Sequence, residues 1–472
     1  MQRRKLVLFE LNEVPFRILD HFARLDPDSA LGRLRRRARS YETYTEDSGH
    51  LSPWVSWPTL HRGVTNLDHE ISHFGQDLSH VNREFPPIWS LLTQNGIRCG
   101  VFGSLQSYPL PDTLDNYAFF VPDTFAAGPE CFPKSLEAFQ NFNLVMVDRS
   151  VRNVSSGIAL REAVRFLRAA PGLGLRARTV AKLAKQLVQE RINPNGVVRR
   201  RTSQVQIAFD FFLRALSRER PDMAFFFTNH VASSMHRYWP ALFPEDYEKL
   251  RFDADWLRTW DSEIPFVMRE ATDQLGDLVR FVERNRDYTL IVASSMGQAA
   301  VESRERVETE LTMSNHTAFA TAMGLEPNEW SKERAMAPQF VFQVADHAVD
   351  RFIQSIGGLT INGEHRKITR ISKNRVSVDI GIVNLKDDEI EIEFKGQRYA
   401  PINLGLINLS LRDAAGANAY HIPEGICLVY DPGAPEQAGT APRRISTTEV
   451  APSILANFGI EPPGYMQAAL SL

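Results

Sequence analysis

The amino-acid sequence predicts an α/β protein with a mostly parallel central sheet flanked by helices, and three observations carry that prediction. Short apolar runs at Leu6–Leu11, 99–103 (CGVFG), 223–229 (MAFFFTN) and 288–295 (YTLIVASS) are each followed by small or polar residues. Strands buried on both faces read as continuous runs of this kind. Helical patterns accompany them at Ile88–Gln94, Leu160–Ala169, Thr179–Glu190, Val205–Leu216 and Glu263–Arg284, the last with apolar residues on one face and Arg and Glu on the other. Finally, 43% hydrophobic and 24% charged residues over 472 positions describe a folded chain, long enough for one large α/β unit with insertions or for two domains.

Taken in order, Leu6–Leu11 is the first strand, and Asn12-Glu13-Val14-Pro15 lies at its C-terminal end, the edge at which open α/β sheets bind ligands. Residues 151–220 hold 15 Lys/Arg against 4 Asp/Glu, interleaved with Leu, Val, Ala and Phe. That pattern is helices with a basic outer face. Such a face either meets anionic lipid, a polyanion or an acidic partner, or is solvated and neutralised by the rest of the chain. From 357 to 412 the pattern turns to β-branched alternation with NG, KN, KDD and KG turns, a small antiparallel unit. The expected organisation is an α/β core over 1–130, 221–356 and 413–472, a basic helical insertion over 131–220 and a β-rich insertion over 357–412.

Bulk properties exclude several classes. A net charge of -3 gives no global attraction to nucleic acid, and the local basic excess lacks a zinc-finger, RRM or helix-turn-helix pattern, so no specific nucleic-acid partner is expected. Cys99, Cys131 and Cys427 are odd in number and far apart, which suits a reducing compartment. The first residues lack the apolar length and cleavage site of a secretory signal, and no apolar run is long enough for a transmembrane segment. The expected location is cytoplasmic, with any membrane contact peripheral.

Four segments could carry chemistry. In 49–80, Ser52-Pro53 can open a helix, with Ser56 before Trp57-Pro58 as the competing start; an oxyanion near either would meet exposed backbone N–H groups. The five histidines there (His50, His61, His69, His73, His80) follow no zinc-ligand spacing; His69 and His73 share a face only if the stretch is helical. TNHVASSMHRYWP, at 228–240, follows a strand and brings Asn229, His230 and His236 toward the ligand edge, while IVASSMGQAA, at 291–300, brings Ser294 and Ser295. Its serines lack the GxSxG setting of a nucleophile elbow. Finally, YHIPEGICLVYDPGA at 420–434 puts His421 before a new strand, and TTEVAPSILANFGIEPPGYM closes the core with a helix.

These segments, with SPWVSWPTLHRG and the first strand, resemble the alkaline phosphatase superfamily, especially its type I phosphodiesterase and nucleotide pyrophosphatase branch. The likeness recurs in order from residue 5 to about 110 and from 222 to 467. NLDHEI looks like the family's HGI region with Glu70 in the glycine place. The resemblance implies an alkaline-phosphatase-like sheet and two divalent metals that activate a Ser or Thr nucleophile. It also implies that most ligands are substituted here. Asn12 stands in the first acid's place, Ala232 in the second's, and Ser295 and Met296 replace the Asp-His of Ser-Asp-His-Gly. His236 and His421 remain as ligands of one metal position, and the nucleophile falls at Ser52, with Ser56 the alternative. Neutral amides and hydroxyls hold a hard divalent ion far less well than carboxylates do, so two-metal chemistry fails unless Glu10, Glu13 or Asp68 takes over.

The resulting expectation is a phosphoester hydrolase, with phosphodiesters among its substrates, or a phosphotransferase-like enzyme. It would use one divalent ion, Zn²⁺ or Mn²⁺, or none. Ser52 or Ser56 would be the nucleophile, and His230, His236 or His421 would exchange protons or hold metal. Asn12, Glu13, Asn229, Ser294 and Ser295 would contact a small anionic or phosphorylated ligand. The alternative is an inactive pseudoenzyme that binds an anionic ligand, glycan or lipid head group.

Overall fold

The computed structural model describes residues 4–149, 172–302, 306–333, 335, 339–434 and 441–467. The chain divides into two compact units, one of Met1–Val145, Gly157–Arg304 and Ala417–Leu472, the other of Met146–Ser156 and Glu305–Gly416.

The first unit is built on an eight-stranded sheet whose strands are, in chain order, β1 (Lys5–Leu11), β2 (Arg39–Tyr44), β3 (Cys99–Phe102), β4 (Tyr117–Val121), β5 (Met223–Thr228), β6 (Tyr288–Ala293), β7 (Cys427–Tyr430) and β8 (Arg443–Ser446). Their spatial order is β8-β2-β7-β6-β1-β5-β3-β4. Five of the pairings are parallel, and only β7 runs against its neighbours β6 and β2. The sheet is thus mostly parallel, as the apolar runs predict. The charged, half-exposed β2 (RSYETY) and the buried β4 (YAFFV) were not among the strands read from the sequence.

β1 lies at the centre, with Glu10 level with Phe227 of β5 and with Ala293 of β6. The three strands therefore end together, which brings Asn12 and Glu13, Asn229 and His230, and Ser294 and Ser295 to one edge. Successive side chains of a strand alternate in direction. Leu6 and Leu8 lie in the same core cluster as Trp57 and Leu60 of the helix Pro53–Arg62 (α1). Glu10 and Asn12 continue that row against the same helix, through His61 and Trp57.

The predicted helices at 88–94 and 263–284 match the observed Ile88–Gln94 and Glu263–Arg284. Those at 179–190 and 205–216 lie inside α2 (Ala177–Ile192) and α3 (Arg200–Glu219); the one at 160–169 lies outside the described residues. Much of the described basic segment is paired with acids of the same unit. Arg176 meets Asp210 and Asp277, Arg178 meets Asp277, Lys182 meets Glu270 and Asp273, Arg199 meets Glu263, and Arg200 meets Glu190.

The second unit packs short antiparallel strands around Phe342, Phe352, Val376 and Val378. Two of the turns read from its sequence, Asn362-Gly363 and Lys395-Gly396, have positive φ at both residues, the backbone of the tight hairpin that matches strand twist. Strand structure in this unit begins at Thr309, well before the β-rich pattern at 357. Among the described residues, no helix is long and apolar enough to cross a membrane.

Candidate metal centre

The chain leaves β1 through Glu13, whose φ of 59° lies in the left-handed region that side chains other than glycine rarely occupy. The turn sends its carboxylate into the unit, where it is 3% exposed. Two imidazoles meet it there. His236, on the helix His230–Leu242 (α4), places Nε2 3.0 Å from Glu13 Oε2, and His421 places its Nε2 3.3 Å from the same oxygen. One ligand atom from each residue lies within 4.8 Å of the other two.

His421 belongs to the strand Ala419–Ile422, which pairs antiparallel with Gly297–Ala300 so that His421 faces Gln298 in register. A Cβ at Gly297 would come within 2.2 Å of the Glu424 carbonyl oxygen, so the ribbon closes only around a glycine. Gln298 Nε2 donates to Glu13 Oε2 and, at 3.2 Å, to the Ala232 carbonyl. Asn12 Nδ2 donates to Glu13 Oε1 at 2.8 Å, and Asn12 Oδ1 accepts from Trp57 Nε1 at 2.7 Å.

The hydrogen bonds of the two histidines decide what the cluster can do. His236 Nδ1 bonds the Ala419 carbonyl at 2.7 Å, and His421 Nδ1 bonds the Leu51 carbonyl at 2.7 Å. A carbonyl oxygen only accepts, so each Nδ1 carries hydrogen and a neutral ring presents its Nε2 lone pair to Glu13. Two lone pairs and a carboxylate repel one another unless protons or a cation lie among them. Backbone carbonyls that fix the outer nitrogen are the usual support of metal-ligating imidazoles. Burial alone would raise the Glu13 pKa, but the charges of His236 and His421 and their hydrogen bonds reverse that and hold it well below the ordinary carboxylate range. Burial lowers the His421 pKa, but attraction to Glu13 and the bonds to Glu13 and Leu51 raise it more. The site thus favours positive charge, and two imidazole nitrogens with one carboxylate oxygen suit Zn²⁺ or Mn²⁺.

Of the three acids that could have restored the missing charge, Glu13 alone joins the histidines. Glu10 is buried against His61, and Asp68 is exposed. Glu13, expected among the anion contacts and also among the acids that could take over as metal ligand, turns its carboxylate on two imidazoles, an arrangement that could hold a cation. The signal for this was a carboxylate in the first residues after a central strand, beside the Asn that takes the acid's place. Gln298 went unnoticed because neither its type nor its spacing announces chemistry.

Several other residues expected at the site have hydrogen-bond partners within the protein. Ser294 accepts from the Val14 N–H and donates to the Met296 carbonyl, which uses its hydroxyl to fix the strand end. Ser56 and Ser295 share a hydrogen bond of 2.8 Å, so each buried hydroxyl already has a partner, unlike that of Ser52. His230 turns from Glu13 to Thr228 Oγ1, at 2.6 Å, and burial lowers its pKa to about 4. Asn229 is exposed and accepts from Asn12 Nδ2 at 2.7 Å. His69 ends a short helix and His73 lies beyond it, so they share no helix face.

Ser52 stands apart from these. It is the N-cap of α1, with Pro53 opening the helix as expected, but its hydroxyl makes no capping bond. The Oγ is buried without a hydrogen-bond partner. Leu51, whose carbonyl holds His421, immediately precedes it, so the serine is tied to the cluster by one residue of backbone. Tyr420 and His50, joined at 3.1 Å, flank the same histidine, with the two ring centres 4.3 and 6.4 Å from that of His421.

Fold and site together define an α/β protein with a Glu-His-His group that could hold a cation beside the end of its central strand. No family profile matches the chain, and no curated protein matches it in sequence. Among solved structures it is similar to murine ectonucleotide pyrophosphatase/phosphodiesterase 5, solved as an inactive variant in complex with AMP, at 11% identity over 99% of this chain and 97% of that one, with a TM-score of 0.42. The human protein of that name is similar at 10% identity over 98% and 96% of the two chains, with a TM-score of 0.39.

Proposed function

We propose that this chain is a phosphoester hydrolase acting on phosphodiesters, with one divalent cation, Zn²⁺ or Mn²⁺, held by Glu13, His236 and His421 and with Ser52 as nucleophile. The observation that carries the reading is the convergence of two imidazole Nε2 atoms, each fixed by a backbone carbonyl at Nδ1, on one buried carboxylate. The order of motifs that resembles the alkaline phosphatase superfamily supports the reaction class.

When bound, the cation would supply Lewis-acid polarisation of a phosphoryl oxygen and lower the pKa of a nearby hydroxyl. Ser52 Oγ attacks phosphorus and forms a seryl phosphodiester as the bond to the leaving oxygen breaks; the serine proton passes through water to that oxygen, which departs as the alcohol, and a second water hydrolyses the seryl ester to restore Ser52 and release the phosphomonoester. The N-terminus of α1 is suited to receive a phosphoryl oxygen through its helix dipole, although Pro53 has no N–H and those of Val55 and Ser56 bond the Ser52 carbonyl. Asn12 acts on Glu13 rather than on metal, because its amide donates to that carboxylate. At the positions where the resemblance puts a second metal's ligands, Ala232, Ser295 and Met296 supply no carboxylate or imidazole.

The test is metal analysis of purified protein together with turnover of a phosphodiester and a phosphomonoester. One divalent ion per chain is expected, with phosphodiester turnover abolished in Ser52→Ala while the ion is retained. Two tightly bound, activity-supporting ions would overturn the one-cation reading. Unchanged turnover in Ser52→Ala would remove it as nucleophile. Inorganic phosphate bound without turnover of either ester would assign the fold to anion binding instead.

A further inference from the structure

A helix on a protein surface ordinarily turns its apolar face inward and its polar face to water. α2 does the reverse. Apart from the half-buried Leu183, its inward positions are polar: Thr179 and Gln186 are buried, Lys182 reaches Glu270 and Asp273, and Glu190 is held by Arg200. Outward it presents Val180, Leu187, Val188 and Ile192, exposed to 48%, 51%, 60% and 80%, with the exposed Ala177, Ala181 and Ala184 among them. At 3.6 residues per turn these seven positions fill one continuous arc of the helix. Contiguous apolar surface of this kind marks an interaction site.

Charge selects the partner. The exposed charged side chains of α2 are Lys185, Arg191 and Arg178, all cationic, the last paired with Asp277, and its one acid, Glu190, is tied to Arg200. In a two-fold contact with a second copy of the chain, each partner would bring the same cations to the same face, and like charges would oppose one another. An apolar arc with cationic residues among and beside it is instead the pattern of helices that lie in the plane of a membrane surface, sinking apolar side chains among the acyl chains and bringing cations to anionic head groups.

We propose that the outer face of α2 docks the protein on a membrane surface containing anionic lipid, with Val180, Leu187, Val188 and Ile192 inserted and Lys185 and Arg191 at the head groups. The ion pairs of Lys182 with Glu270 and Asp273 and of Arg199 with Glu263 fasten the helix and its following turn to Glu263–Arg284, leaving the apolar side outward. This docking is independent of the chemistry at Glu13.

The experiment is co-sedimentation of the full chain with phosphatidylcholine vesicles, with and without roughly a third phosphatidylserine. Binding is expected to the phosphatidylserine vesicles alone and to weaken as salt rises. Leu187→Ser/Val188→Ser/Ile192→Ser should bind about tenfold more weakly, and Lys185→Gln/Arg191→Gln should lose most of the salt dependence. All five positions are exposed, and unchanged circular dichroism would exclude unfolding as the cause. Absence of binding to phosphatidylserine vesicles, or parental binding by the apolar triple variant, would overturn the proposal. So would a concentration-dependent dimer in sedimentation equilibrium that the triple variant abolishes, because the face would then belong to a second copy.

Discussion

Glu10 and Glu13 lie three residues apart at the end of one strand, both are buried, and both meet histidine, yet their surroundings assign them different work. Glu10 Oε1 lies 2.7 Å from His61 Nε2, and His61 Nδ1 has no hydrogen-bond partner. That ring is free to carry its proton on Nε2 and donate it to Glu10 Oε1 inside the aromatic wall of Trp57, Trp89 and Phe225, while Glu10 Oε2 and His61 Nδ1 are buried without a hydrogen-bond partner. At Glu13 the choice is closed. Both imidazoles spend Nδ1–H on backbone carbonyls, so each, when neutral, turns a lone pair toward the carboxylate and calls for a proton or a cation between them. A buried acid beside a histidine is therefore no sign of a metal site; the bond on the far nitrogen is.

The largest effect that follows is on cation affinity. Glu13→Gln removes the only charged ligand and should weaken binding of Zn²⁺ or Mn²⁺ by at least about a hundredfold, read by titration calorimetry on the metal-stripped chain. Glu10→Gln should leave that affinity unchanged within about twofold, because its side chain contacts none of the three ligands. Were the effects of the two substitutions exchanged, the assignment of the pairs would be reversed.

The converse effect is on stability. His61→Leu leaves the Glu10 carboxylate buried without its partner and should cost about 3–5 kcal/mol in urea unfolding, with metal content unchanged. A stability loss below about 1 kcal/mol would mean that the pair is relaxed by water reaching it.

Asp123 extends the comparison to a buried carboxylate with no cation beside it. Burial raises its pKa to about 6 against the pull of backbone N–H groups, including those of Phe125 and Ser107. The folded chain keeps this proton up to about pH 6, whereas the unfolded chain releases it near 3.8. The contribution to stability is thus fully present below 3.8 and is lost as pH rises through about 6, a loss on the order of 3 kcal/mol. Comparing urea midpoints of parent and Asp123→Asn between those pH values should reveal it as a slope that the variant lacks. Glu13 has the opposite sign, with stability lost as pH falls, because its pKa is held down.

The frame of this molecule was legible where hydrophobic burial dictates residue type. β1, β3, β5 and β6 lie on both-face-buried runs, and Pro53 opens its helix at the one position where a missing N–H costs nothing. The site was legible only in part. His236, His421 and Ser52 could be picked out by type and order, but which of Glu10, Glu13 and Asp68 meets the histidines depends on strand alternation and on one left-handed residue, neither of which hydropathy records. Nor could it be read that Ser56 and Ser295 satisfy each other, since 239 residues separate them. β2 stayed hidden because RSYETY lacks the apolar continuity of the other strands.

The smallest predicted effect separates strain that serves chemistry from strain that does not. Glu70 ends the helix Asn66–His69 with φ 54°, nearly the backbone of Glu13, in the place where the resembling family carries glycine. A non-glycine residue held there carries roughly 1 kcal/mol of strain or more, part of which glycine would return as the entropy it loses on folding. Glu70→Gly should therefore stabilise the chain by about 0.5–1 kcal/mol, seen as a higher urea midpoint, while cation affinity stays at the parental value. Glu13→Gly would relieve a similar backbone and yet abolish the cation site. If Glu70→Gly lowered cation affinity as well, the turn after His69 would have to be counted as support for the centre, and the left-handed backbone at Glu13 would lose its standing as the one strained position tied to function.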